Sequence, residues 1–378
     1  MKRRLIRAGV IGLCALGIVL IATHKPGITS YQGKTIEAWA LQLSSTNQAA
    51  RNEAAKVFGA LGTRALPELT RLLQKREPFW RRQLWRAAPR LPARLSSFIA
   101  QHVRPRDLYQ VREAAARSLG LLGSAAEPAI PNLVAALRDE EGRVRWEAAE
   151  ALGRIGGTTA VPALTNCLHD PDIPARQSAA FALGQIGPEA QEAVPALARA
   201  LQDVGACSMA IYGLAQMGTS AVPVAIERCA KGDDKVRAAA SRVLGGLLQH
   251  MAPPPYTAEP PVVSIDQSNA IAQMVATLTT ALRDPVANVR TEAAQSLALS
   301  GVDISSAAPD LMASLKDGSP MVRQMSARAL GEIGTAAIAA LPELARLADD
   351  SDKSVSAAAK EAIKKIRRAA AAGNTFKR

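Results

Sequence analysis

Aromatic side chains make up only 3% of this 378-residue chain. So few rings argue against two compact globules and for an Ala/Leu-rich array whose core grows by adding units. Histidine is equally sparse: His24, His102, His169 and His250 are scattered, with no second ligand at metal spacing. No strand is legible that a Gly-rich phosphate loop could follow, and no Ser/His/Asp group can be assembled. No metal, cofactor or catalytic residue is therefore nominated. Residues 8–23 are the one long apolar run, and acidic residues are absent from 79–106.

What the chain has in abundance is repetition. A thirteen-residue pattern, clearest as Val144-Arg145-Trp146-Glu147-Ala148-Ala149-Glu150-Ala151-Leu152-Gly153-Arg154-Ile155-Gly156, returns about every thirty residues. It begins at Ala50, Trp80, Val111, Val144, Ala175, Ala206, Val236, Val289, Val322 and Val355. A unit this short cannot bury its own apolar face, and a period of this size marks a repeat architecture in which neighbours build one core. Apolar residues at motif positions 1, 5, 8, 9 and 12 follow helical spacing and stop at a Gly, which predicts a helix, here called B. A second amphipathic stretch, helix A, is announced by a first-turn proline at Pro67, Pro131, Pro162, Pro195, Pro223, Pro309 and Pro342.

Between A and the next B lies an acidic turn, with Asp139, Asp170, Asp203, Asp233, Asp284 and Asp317. Such an Asp can cap the coming helix, and the arginine at motif position 2 is close enough in sequence to pair with it: Arg145 with Asp139, Arg176 with Asp170, Arg290 with Asp284, Arg323 with Asp317. Recurrence in most units makes this ladder structural rather than an active site.

The run V-R-x-x-A-A-x-x-L-G-x-I-G, followed by A-x-P-x-L and a D-containing turn, resembles HEAT repeats, particularly the short bacterial type shared with phycobilin lyases. The resemblance covers about residues 35–370 and implies an all-α solenoid of about ten helix pairs. That family includes scaffolds, bilin lyases and some DNA glycosylases, so it implies little about activity. The segment Tyr31-Gln32-Gly33-Lys34 followed by Trp39 also resembles the start of many exported bacterial HEAT-repeat proteins. Departures from the pattern are Pro89 and Pro92 in the second unit, and Cys207 and Ser356 where an arginine is usual.

The N-terminus is a separate device. Lys2, Arg3, Arg4 and Arg7 precede the apolar residues 8–23, the order of a signal anchor or signal peptide. Leu20 and Ile21 stand where a cleavage site wants small side chains, which favours an uncleaved anchor. The expected organisation is an anchor or signal peptide at 1–24, crossing the membrane through 5–23, and a juxtamembrane linker at 25–34. The repeat array follows at 35–370, with a Pro-rich loop at 251–270, and a tail at 371–378 closes the chain. The array then lies outside the cytoplasm of a bacterial inner membrane, or is secreted if the leader is removed.

Charge points the same way. Residues 1–110 hold nineteen Lys or Arg against five acids, a net +14, while the other 268 residues carry −1. The densest stretch holds Arg81, Arg82, Arg86, Arg90 and Arg94, with Arg104 and Arg106 beyond and Trp80 and Trp85 interleaved. Two readings fit: a contact for anionic lipid headgroups, or a solvated basic face with both tryptophans in the core. An exported chain rarely meets nucleic acid, which is therefore not expected as a partner.

In HEAT folds helix B generally lines the concave side, so motif position 7 should form a row there: Lys56, Arg86, Arg117, Glu150, Phe181, Tyr212, Arg242, Gln295, Arg328 and Glu361. Phe181 and Tyr212 stand in neighbouring units, with Met209 and Trp146 near them. Rings in an otherwise polar row are either anchors for a partner protein or side chains buried by a small helix rotation; anchors are the expectation. Cys207 and Cys229 fall at comparable heights on neighbouring helices, where a disulfide and free buried thiols both fit; free thiols are the expectation. The function expected is a non-catalytic, membrane-tethered scaffold that grips a partner segment. The alternative the resemblance implies is an enzyme on the same fold, bilin lyase-like or acting on nucleic acid.

Overall fold

The structure, a computed structural model, describes residues 28–102, 108–252 and 264–375. The expected anchor at 1–24 lies outside the described residues. Among the described residues no helix is long and apolar enough to cross a membrane. The chain divides into two compact units, Met1–Val144 and Arg145–Arg378.

The first unit opens with an antiparallel pair of two-residue strands, β1 (Ser30–Tyr31) and β2 (Lys34–Thr35). The turn between them has Gln32 at φ 48° and Gly33 at φ 76°, the two left-handed residues that a tight hairpin needs. The buried Trp39 indole donates to the Tyr31 carbonyl at 2.8 Å, and the Lys34 ammonium lies 4.1 Å above its ring. The all-α fold stands as expected, and within the segment read as a linker at 25–34 the chain forms this hairpin, whose two-residue strands are too short to alternate legibly.

Helix pairs follow: α1 (Ile36–Gln42) with α2 (Gln48–Leu61), α3 (Leu66–Leu73) with α4 (Phe79–Ala87), and α5 (Ala93–His102) with α6 (Tyr109–Leu121). Helix α7 (Ile130–Ala136) completes the first unit's A helices. Thr35 and Asn47 cap α1 and α2 through their side chains. Pro89 ends α4 at Ala87, so Arg82, Arg86 and Arg90 do not share one helix; Arg90 falls in a short tight turn.

In the second unit the B helices are α8 (Gly142–Ile155), α10 (Ile173–Ile186), α12 (Cys207–Gln216), α14 (Asp234–Met251), α16 (Ala287–Ala298), α18 (Pro320–Ile333) and α20 (Lys353–Thr375). The A helices are α9 (Val161–Cys167), α11 (Val194–Ala200), α13 (Val222–Lys231), α15 (Ile265–Ala281), α17 (Ala308–Ser314) and α19 (Leu341–Leu347). First-turn prolines open five of these six, as the sequence spacing requires. Leu152, Leu183, Leu214, Leu244, Leu297 and Leu330 of the B helices are fully buried beside Leu164, Leu197, Leu311 and Leu344 of the A helices. Each such leucine contributes roughly 1.5–3 kcal/mol of apolar burial.

Two boundaries differ from expectation. The Ser264 hydroxyl and the Gln267 side chain form a reciprocal cap, which starts α15 at Ile265, inside the expected loop at 251–270. Of that loop, residues 253–263 lie outside the described residues. Helix α20 runs on to Thr375, into the expected tail.

The Asp/Arg ladder is present with a different phase. Arg176 does not turn to the carboxylate of its own turn; its Nε and Nη2 hold Asp203, and its Nη1 donates to the carbonyl of Asp170 at 2.8 Å. Arg290 likewise holds Asp317 while bonding the Asp284 carbonyl, and Arg323 holds Asp350 while bonding that of Asp317. Arg145 grips Asp170, both bonds at 2.7 Å. Within the first unit Asp139 is held by Arg112 and Arg76. Each ladder arginine thus ties its own helix to the following turn. The carboxylate also accepts the backbone N–H two residues on, at Asp172, Gly205, Val286, Ser319 and Asp352, which fixes the turn before the helix.

Candidate functional site

Helical phase assembles the site. On α8, Trp146 and Glu150 are one turn apart; on α10, Pro174, Gln177, Ser178 and Phe181 fall on one face; on α12, Met209 and Tyr212 are three apart. Trp146, Glu150, Pro174, Gln177, Phe181 and Met209 line a hollow of about 360 Å³. The Trp146 indole donates to one Glu150 oxygen at 2.8 Å and Arg154 donates to the other at 2.8 Å. Gln177 donates to the Gly205 carbonyl at 2.7 Å. The hollow therefore has an apolar floor and a rim whose polar groups are already oriented.

Phe181 and Tyr212 stack with ring centroids 5.1 Å apart and planes 26° off parallel. All four expected anchors, Trp146, Phe181, Met209 and Tyr212, are half-buried, a result between the two outcomes the sequence allowed. Tyr212 does not line the hollow. Its ring lies on Gly184, where a Cβ would come within 2.8 Å of Cε1, so it supports Phe181 from behind. Glu150 belongs to the motif row, whereas Pro174 and Gln177 are lining residues that lie outside it.

The motif row continues along the same helices. Arg242, Glu292, Gln295 and Leu299 line a further hollow of about 280 Å³. Gln295, Met325, Arg328, Glu361 and Lys365 line one of about 580 Å³. Position 7 of α8, α10, α14, α16, α18 and α20 thus faces shallow depressions between B helices, whereas Tyr212 of α12 does not. Burial pushes the Glu292 carboxyl up, against the opposing pull of Arg242 at 3.9 Å.

Cys167, Cys207 and Cys229 are free thiols. Burial pushes the thiols of Cys207 and Cys229 up, and Cys229 lies 3.5 Å from the Ser241 hydroxyl. Arg242 and Arg237 pull the two thiols down, but burial outweighs them, the reverse of what activates a nucleophile.

In the first unit the arginine stretch separates. Arg81 pairs with Glu77 at 3.3 Å and bonds the His102 carbonyl at 3.4 Å, so its charge is already answered. Arg86 and Arg90 are exposed, whereas the side chains of Arg82 and Arg94 lie outside the described residues. Trp80 is 60% exposed, which overturns its reading as a core residue, and Trp85 is half-buried.

Comparison with known proteins bears on the fold. An engineered protein is 21% identical over 88% of this chain and 98% of its own, with a TM-score of 0.38. Human deoxyhypusine hydroxylase in complex with glycerol is 20% identical over 82% and 98%, with a TM-score of 0.29. Yeast importin-β is 16% identical over 88% of this chain and 50% of its own, with a TM-score of 0.50, a likeness of fold alone. No curated protein matches the chain in sequence. The family model described as HEAT repeats matches residues 97–183, 161–245 and 275–364, more than half the chain. With its helix pairs, first-turn prolines and inter-repeat arginines, the chain belongs to the HEAT-repeat family.

Proposed function

We propose that this chain is a non-catalytic scaffold that holds a segment of a partner protein against its B helices at Trp146, Phe181 and Met209. Residues 5–23 tether it to a bacterial inner membrane, with the repeats outside the cytoplasm. The repeat type, V-R-x-x-A-A-x-x-L-G, supports its place among the short bacterial HEAT proteins. The observation that carries the reading is the hollow itself. Three large apolar side chains converge on it from three consecutive B helices, with a Glu150 rim already hydrogen-bonded. Half-buried rings framed by satisfied polar groups are the anatomy of a protein-binding hot spot.

The partner's segment places an apolar side chain over Phe181 and Met209, and backbone or side-chain polar groups along Glu150 and Gln177. The test is co-purification of the full chain from its own membranes with Phe181→Ser and Met209→Ser. Loss of one stoichiometric protein partner at nearly unchanged helicity supports the scaffold. Retention of the same partner set overturns it.

A further inference from the structure

We propose that the pair α4–α5 is a second membrane contact, which seats Trp80, Leu84, Leu95 and Phe98 at the headgroup–acyl boundary of an anionic phospholipid bilayer. These four are 60%, 38%, 53% and 57% exposed. The other large exposed apolar residues of the described chain, such as Leu121, Leu299 and Ile338, are spread over separate repeats, whereas these four fall within one helical hairpin. Isolated exposed leucines need no explanation; a cluster of this kind marks an interaction surface.

Helical phase concentrates the cluster. Trp80 and Leu84 are four apart on α4, and Leu95 and Phe98 three apart on α5, so each helix presents its pair on one face. The bond from Arg81 to the His102 carbonyl ties the start of α4 to the end of α5, which brings Trp80 and Phe98 to the same end of the hairpin. The Phe98 ring is held by stacking on His102, centroids 4.5 Å apart.

Charge selects the occupant. No acid occurs from 79 to 106, and the exposed Arg86 and Arg90 have no ion-pair partner among the described residues. Arginines that keep their heads in the headgroup layer beside Trp, Leu and Phe that enter the acyl boundary are the composition of an interfacial helix on anionic lipid. A protein partner would need a complementary acidic and apolar face, whereas a bilayer supplies phosphate and hydrocarbon together along one plane. The contact lies in the first unit and does not depend on the groove of the second.

The test uses the full chain reconstituted into vesicles of phosphatidylcholine alone, or of equal parts phosphatidylcholine and phosphatidylglycerol, with bromine on the acyl chains. Trp80 emission is obtained as the difference between the chain and its Trp80→Phe variant, which keeps Trp39, Trp85 and Trp146. The expected result is several-fold quenching of Trp80 by brominated chains in the anionic vesicles, much less in the neutral ones, and relief of quenching by high salt. Leu95→Ser with Phe98→Ser should reduce that quenching with only a small change in Tm, because more than half of each residue is already exposed. Unquenched Trp80 in the anionic vesicles overturns the proposal. So does equal quenching on neutral lipid, full quenching in the double variant, or protection of Trp80 by RNA or soluble protein in place of lipid.

Discussion

Arg290 holds the Asp317 carboxylate of the following turn through Nε at 2.7 Å and Nη2 at 2.9 Å, while its Nη1 donates to the Asp284 carbonyl at 2.9 Å. One guanidinium thus fastens two consecutive turns. Both side chains are less than one fifth exposed, so the pair is screened less than a surface ion pair. Asp317→Asn leaves the guanidinium with a weaker acceptor and should cost about 2 kcal/mol, the scale of a hydrogen bond to a charged group. Urea unfolding followed by circular dichroism measures it; an unchanged midpoint would show the ladder to be ornamental.

The same pairs set the acid limb of stability. Burial is the largest single influence on Asp170, Asp284 and Asp317 and opposes their ionisation, but the arginine hydrogen bond, the backbone hydrogen bond and the attraction of two nearby arginines together outweigh it and hold the carboxyls below their ordinary 3.8. At Asp203 and Asp350 the arginine hydrogen bond is itself the largest influence, with the same downward result. Unfolding returns each carboxyl to its ordinary value, so below 3.8 the unfolded chain takes up protons first. The ladder's contribution is therefore complete above that pH and is lost as pH falls through the lowered native values. Melting temperatures across this window should drop steeply for the native chain and less steeply for an Asp317→Asn, Asp350→Asn variant.

Cys207 stands where its neighbours have a ladder arginine, and Asp233 of the following turn has no ion-pair partner among the described residues; it caps α14 through Val236 instead. Cys207→Arg should complete the missing rung and stabilise the chain by up to about 1 kcal/mol. A differential scan reads the change, and a lowered Tm would mean that the site cannot take the guanidinium. A thiol count on the denatured, unreduced full chain should return every cysteine as free; a deficit of two would identify a Cys207–Cys229 bridge.

Gly184 lets α10 and α12 approach closely: an added Cβ would lie 2.8 Å from the Tyr212 ring and 3.0 Å from the Gly213 Cα. Gly184→Val should therefore cost about 1–3 kcal/mol by overpacking. It should also displace Tyr212 from Phe181, read as a change in near-ultraviolet circular dichroism. An unperturbed aromatic signal would contradict the supporting role given to Tyr212.

Because Phe181 is half-buried, Phe181→Ser should cost about 1–2 kcal/mol, below the roughly 3–5 kcal/mol of a core phenylalanine. Denaturant titration distinguishes the two. A loss at the upper figure would return Phe181 to the core and remove it from the surface.

Most of the fold was legible because its signals are local. Val144 to Gly156 carries a helical period and a stop, and Pro162 or Pro195 marks the next start; both act through their own backbone. The ladder's phase was not legible, since Asp170 precedes Arg176 closely in sequence but its carboxylate belongs to Arg145, a partner set by repeat stacking. The strands at Tyr31 and Lys34 are too short to show a period, and the start of α15 depended on a Ser264–Gln267 cap inside what reads as loop. At the site, the row spacing put Phe181 on the B-helix face expected to line the concave side, but could not give its half-burial. It could not show that Tyr212 lies back on Gly184, because that depends on how closely two helices approach.

The proposed role of the hollow between α8, α10 and α12 is to grip a partner protein. A photocrosslinking residue at position 181 in the full chain, in intact cells, tests it most directly, with the same residue at the exposed position 199 on α11 as control. One protein should be captured from 181 and not from 199, with the crosslink mapping to a single short segment of that protein. Capture of pigment or nucleotides at 181, or equal capture from both positions, would contradict it.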